Sequence, residues 1–282
     1  MKNILVATDF SPAARCATRY GLKLALALNA KLTLVAAFEN IPVPVTNDPI
    51  VLFPDDMEAL VTEQLTVEAK LFATPGLSPI GVLSRKGGTT ETVLAAAADS
   101  KADLIVVGMK EHEHGLHRAF GSTVTDLSKE SPLPLLIVPE GSEFTPPVSI
   151  VMANDLGPTA EILIPAFLRN LAGAFHSRIT VVRFMGGRAA EVIEILDYSA
   201  NLRRVTGVIS PLEEFPVGNH AEDRLIRFVG DHHSNLLAMP THHRSLAERW
   251  LAGNPSRGLI LKAKLPFLLL PEDRPLSTKH SD

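Results

Sequence analysis

The sequence predicts an α/β protein in which one fold is written twice. Strand-length apolar runs alternate with helix-length amphipathic segments, and the pattern restarts after a polar, proline-bearing stretch at 140–147. Residues 103–139 also lie over 235–271 without a gap, at a constant offset of 132. Strands alternating with helices call for right-handed crossovers and a parallel sheet. Self-similarity over the whole length calls for a tandem duplication, here divided as residues 1–140 and 148–272.

Taken in order, Ile4-Leu5-Val6-Ala7 reads as a short buried strand ending at Thr8-Asp9. Ser11 can cap a helix that begins at Pro12, with Tyr20, Leu24 and Leu28 on one apolar stripe. A second strand covers 32–38. Residues 40–54 carry four prolines and no periodicity, so they read as a loop. Met57, Leu60, Val61 and Leu65 then recur at helical spacing, giving a helix over 55–73. A third strand is expected at 79–84 and a third helix at 89–98, with Val93 and Leu94 facing inward. Leu104-Ile105-Val106-Val107 is a fourth strand that stops at Gly108. A polar, His-rich loop leads to Gly121-Ser122-Thr123 and a helix with Val124 and Leu127 on one face. Pro132 and Pro134 precede a last strand at 135–138.

The second copy follows the same order. Val148-Ser149-Ile150-Val151-Met152-Ala153-Asn154-Asp155 echoes Asn3 to Asp9, and Arg178-Ile179-Thr180-Val181-Val182 echoes Lys31-Leu32-Thr33-Leu34-Val35. The copy lacks most of the proline-rich loop, which shortens its front half.

Composition narrows the function. The formal charge of −4 supplies no basic field for DNA. The few aromatics do not alternate with Lys or Arg as a single-strand platform requires. Cys16 is the sole cysteine, so no internal disulfide can form and a reducing compartment is expected. Charge arrives too early in the first nine residues for a signal segment, and no run of eighteen apolar residues predicts a membrane span. The expectation is a soluble cytoplasmic protein.

The stretch from Gly108 to Thr123 carries the chemistry. Backbone N–H groups at a helix start beside Gly121, Ser122 and Thr123 make an anion-binding geometry. The spacing resembles the nucleotide loop of the universal stress protein family, G-x2-G-x9-G-[ST]: Gly108 and Gly121-Ser122 fall at the first and third positions, while the second is Glu111. A reading without ligand is that both glycines serve only turn and helix-entry geometry. With the repeat, the resemblance covers nearly the whole chain. It implies two doubly wound five-stranded parallel sheets of order 3-2-1-4-5, of the adenine nucleotide α-hydrolase-like kind, with a ligand at the carboxyl ends of the first and fourth strands.

The resemblance further implies that Thr8 and Asp9 after the first strand contact a nucleoside, and that the backbone at Ala36-Ala37 reads an adenine edge. Phosphates would lie between Val107-Gly108 and Gly121-Ser122-Thr123, with Lys110, His112, His114, His117 and Arg118 as sources of positive charge or as a solvated loop. The cofactor implied is ATP or another adenine nucleotide, with or without Mg2+. Glu111 adds bulk and like charge where phosphate should approach, so it can abolish ATP affinity, favour fewer phosphates, point outward or act through a divalent cation.

In the second copy the equivalents of Gly108, Glu111, Gly121 and Ser122 are Pro240, His243, Gly253 and Asn254, so this half is not expected to bind ATP. The doublet His242-His243 is a candidate for a metal such as zinc, though it lacks the i, i+4 spacing of two ligands on one helix face. No catalytic constellation is read, so an efficient enzyme is not expected and any ATP hydrolysis would be slow at most. The last strands of both copies are edges that can pair within one chain as a pseudo-dimer, or across a homodimer. The expected role is a nucleotide-binding sensor of stress with an unidentified protein partner. The alternatives are a nucleotide-independent scaffold of the same fold, an enzyme of the same fold group, and a zinc-responsive protein.

Overall fold

A computed structural model of the chain describes residues 1–39, 54–76, 78–110, 122–154, 164–185, 189–195, 211–216, 221–241 and 264–271. The first five strands are β1 (Asn3–Ala7), β2 (Lys31–Phe38), β3 (Gly81–Lys86), β4 (Leu104–Met109) and β5 (Leu135–Pro139). They stand in the order β3-β2-β1-β4-β5 and every neighbouring pair is parallel. Helices α1 (Pro12–Leu28), α2 (Pro54–Leu71), α3 (Thr89–Asp99) and α4 (Ser122–Glu130) connect them. Side chains alternate along each strand, so the sheet buries both faces. Ile4, Val6 and Val106 meet residues of α1 and α2, while Leu5, Ile105 and Val107 meet α3 and α4.

Local chemistry sets the helix ends. Ser11 is extended and its Oγ accepts from the Ala14 amide at 3.3 Å, with Pro12 at the first helical position. Asn29 closes α1 in the left-handed conformation, where its short polar side chain is tolerated. Two strands run on past their expected ends: β3 is Gly81–Lys86 rather than 79–84, and β4 continues through Gly108 to Met109. The expected loop at 40–54 lies almost wholly outside the described residues.

The remaining strands are β6 (Ser149–Asn154), β7 (Arg178–Met185), β8 (Ala189–Ile195), β9 (Pro211–Pro216), β10 (Leu236–Thr241) and β11 (Phe267–Pro271), with α5 (Ala166–Phe175) and α6 (Ala221–Asp231). The offset seen in sequence reappears in three dimensions. Adding 132 to the bounds of β4 and β5 gives those of β10 and β11. The same shift takes left-handed Lys101 to left-handed His233, and Asp103, which accepts from the Asn3 amide, to Asn235, which accepts from the Ser149 amide. His176 caps α5 in the left-handed form as Asn29 caps α1.

Strands β11, β10, β6 and β7 are parallel in that order, but the rest of this half departs from the expected five-stranded parallel sheet. β8 returns antiparallel to β7, and β9 antiparallel to β8. The cause is connection length: only three residues separate Met185 from Ala189, its partner across the ladder. A parallel crossover needs a dozen or more, so the chain must reverse as a hairpin.

The halves share one eleven-stranded sheet because β5 and β11 pair antiparallel, Leu136 opposite Leu268. The turn after β5 reinforces this seam: the Ser142 hydroxyl donates to the Lys264 carbonyl at 2.7 Å. No helix among the described residues is long and apolar enough to cross a membrane.

Candidate functional site

In a 2-1-4 strand arrangement the helices leaving β1 and β4 depart to opposite faces, and the carboxyl ends of the two strands part to leave a crevice. Here that crevice is a cavity of about 270 Å³, bounded by the ends of β1, β2 and β4 and by the first turns of α1, α3 and α4. This is just below the range of small-molecule sites, which begins at roughly 300 Å³. Its inner wall is apolar, with Val35, Ala37, Val93 and Val124. The rim is polar, with Asp9, Ser11, Thr89, Lys110 and Thr123.

Gly108 has a packing reason the sequence did not suggest. A Cβ on it would lie 2.4 Å from the Ala13 carbonyl oxygen and 2.7 Å from the Ala14 nitrogen. Glycine lets β4 press against the first turn of α1, and this contact forms one corner of the cavity.

Asp9 sits in the turn between β1 and α1. Its Oδ1 accepts from the Ser11 amide at 3.0 Å, and its Oδ2 lies 3.4 Å from Lys110 Nζ, across the mouth from β4. Partial burial pushes the Asp9 carboxyl upward in pKa. The Ser11 hydrogen bonds and the neighbouring Lys110 ammonium outweigh that, and hold it below the ordinary aspartate value. The ion pair itself is more than half exposed on both sides, so it adds little to stability.

Three helix starts face the same space. At α1 the Ala14 amide is capped by Ser11, but α3 begins after Gly88 with no side-chain cap. Thr89 at the start of α3 and Thr123 in the first turn of α4 both line the cavity. Unpaired first-turn amides carry partial positive charge and suit an anion. An apolar wall, one carboxylate, one ammonium and several helix starts can hold a molecule with an apolar ring at one end and negative charge at the other. Among the described residues no three His, Cys, Asp or Glu side chains converge on a metal position.

Of the residues singled out in sequence, Thr8, Asp9, Ala37, Val107, Gly108, Lys110 and Thr123 meet in this cavity. Ala36 points into the core on the opposite side of β2. Ser122 opens α4, exposed, and does not line the wall. Glu111, His112, His114, His117, Arg118 and Gly121 lie outside the described residues, as do Asp155, His242, His243, Gly253 and Asn254. Pro240 lies in β10, paired with Leu270. Sequence reasoning placed Ser11, Thr89 and Val93 on their helices but missed all three as site residues. The Gly87-Gly88 pair ahead of Thr89 was the available signal for a bare helix start.

A parallel sheet in the order β3-β2-β1-β4-β5 with a crevice at its switch point makes the first half a doubly wound α/β domain, a class that takes its ligands at the carboxyl ends of the strands. The universal stress protein family model matches residues 1–139. The "Universal stress protein in QAH/OAS sulfhydrylase 3'region" of Thermus aquaticus is 31% identical over 137 residues, which is 49% of this chain and 98% of that protein. The chain belongs to the universal stress protein family. Among solved structures, a universal stress protein from Archaeoglobus fulgidus DSM 4304 aligns with 96% of this chain and 96% of its own at 11% identity and a TM-score of 0.60, so the likeness of fold spans both halves. A universal stress protein in complex with cAMP aligns with 49% of this chain and 95% of its own, at 24% identity and a TM-score of 0.36.

Proposed function

We propose that residues 1–140 and 148–272 are two universal stress protein domains in tandem, and that the first is a cytoplasmic stress-response sensor that binds an adenine nucleotide. The observation that carries this is the meeting of Asp9, Ala37, Lys110 and Thr123, from four separate elements, in one cavity. Val35, Ala37 and Val93 suit a base. Asp9 suits ribose hydroxyls, which donate to a carboxylate. The starts of α3 and α4 and Lys110 suit phosphate. The cavity of about 270 Å³ suits the nucleoside part of ATP or of a shorter adenine nucleotide. A magnesium ion, where one accompanies the nucleotide, would be held chiefly by phosphate oxygens and water.

The residues here bind and orient rather than react. Nucleotide occupancy acts by selecting one arrangement of the surface beside Lys110, which a protein partner reads. A scaffold that uses no nucleotide is favoured by one observation: Asp9 is already engaged by Ser11 and Lys110.

Isothermal titration with ATP, ADP, AMP and adenosine tests the reading. Binding is expected for at least one nucleotide. Asp9→Ala should weaken it about 10- to 150-fold, the loss of a charge-assisted hydrogen bond of about 1.5–3 kcal/mol. Absence of heat with all four at high protein concentration refutes the sensor and leaves the scaffold.

A further inference from the structure

Helix α2 turns one carboxylate inward. Glu68 is 2% exposed and stands in the same helical row as Val61, Leu65 and Ala69, which pack into the core beneath β2. A carboxylate in such a row requires polar compensation. Its partners come from two other elements: Oε1 accepts from the Thr8 hydroxyl at 3.3 Å, and Oε2 accepts from Arg15 Nε at 3.5 Å. Neither Glu68 nor Arg15 lines the cavity, but Thr8 does.

The Thr8 hydroxyl has a single proton. Directed at Glu68, it leaves the oxygen lone pairs free to accept from the Phe10 amide, which they do at 3.0 Å. Phe10 has φ of 61°, a left-handed conformation that a bulky residue keeps only where its surroundings hold it. On either side of Phe10, the Ser11 amide donates to Asp9 Oδ1. The chain of contacts thus runs from Arg15 and Glu68 through Thr8 to Phe10, and fixes the turn that presents Asp9.

We propose that Glu68 is a positioning residue for the nucleotide site: by orienting the Thr8 hydroxyl it locks the Phe10 turn and so sets where Asp9 stands. The consequence for affinity rests on the nucleotide reading above, whereas the positioning of Asp9 does not. Glu68→Met keeps the length of the side chain and its helix preference but removes both acceptors. Thr8→Val removes only the hydroxyl, and Thr8→Ser retains it.

The test is the Asp9 pKa, followed by NMR of its carboxyl carbon in the full chain without ligand, together with melting temperature and AMP titration. Glu68→Met and Thr8→Val should each raise the Asp9 pKa towards the ordinary aspartate value, the double variant no further than the larger single effect, and Thr8→Ser should leave it near wild type. AMP affinity should fall about tenfold in the first two. An Asp9 pKa unchanged in folded Thr8→Val, with only the melting temperature altered, overturns the proposal and makes Glu68 a structural buried acid. If Glu68→Met does not fold, Thr8→Val decides alone. A wild type that binds no adenine nucleotide, yet whose Asp9 pKa moves in the variants, removes the nucleotide reading and keeps the positioning. A wild type that binds AMP while the variants leave the Asp9 pKa unmoved does the reverse.

Discussion

Replacing Gly108 by alanine should damage this protein far more than one added methyl suggests. The new Cβ would meet backbone at 2.4, 2.5 and 2.7 Å, on Ala13 and Ala14 of α1. Ordinary contact begins near 3.4 Å, so β4 and the start of α1 must separate by roughly 1 Å. No rotamer can absorb this, because the obstructing atoms belong to a capped helix anchored by Tyr20, Leu24 and Ala25 in the core. Overpacking of this kind costs about 2–4 kcal/mol, at the upper end of its usual range. For domains of this size that corresponds to a fall in Tm of about 4–16 °C in scanning calorimetry. Gly173→Ala is the control: this residue is exposed on the outer side of α5 with nothing within 4 Å of its would-be Cβ, and alanine there should raise stability by about 0.5–1 kcal/mol. A Gly108→Ala protein melting within about 2 °C of wild type would show that the close approach of β4 to α1 is not a constraint.

Ser11→Ala should cost about 1 kcal/mol through loss of the α1 cap, and should raise the Asp9 pKa by removing one of the hydrogen bonds that lower it. Because the folded Asp9 pKa is depressed, its contribution to stability is full above the unfolded value near 3.8 and disappears as pH falls through the folded value. Chemical denaturation of wild type and Asp9→Asn between pH 2 and 6 checks this, with the two curves converging at the acid end. At the seam, Leu268 is 1% exposed opposite Leu136. Leu268→Ala should lower stability by about 2–5 kcal/mol in denaturant titration.

Much of the fold was legible because it depends on local pattern. Apolar runs with helical segments between them, Ser11-Pro12 at a helix start, and a repeat kept at constant spacing are all written in adjacent residues. The repeat also misled. Reading the second half as a copy of the first hid the hairpin of β7 and β8, although Gly186-Gly187-Arg188 is too short for a crossover and suits a reversal. Asp9 and Gly108 pointed to the crevice from opposite ends of the first half, but the clash that requires glycine at 108 depends on the approach of a helix nearly a hundred positions away. Glu68 was invisible for the same reason. A glutamate in an amphipathic helix reads as solvated until Thr8, sixty residues earlier, is seen to donate to it.

The antiparallel join of β5 and β11 reverses the strand direction halfway across the sheet. The carboxyl ends of β1 and β4 therefore emerge along one border of the molecule, and those of β6 and β10 along the border opposite. A visitor to the first crevice approaches from one side and whatever the second half offers is approached from the other, so the two stations can be approached separately. A single rigid molecule touching both would have to span the full length of the strands.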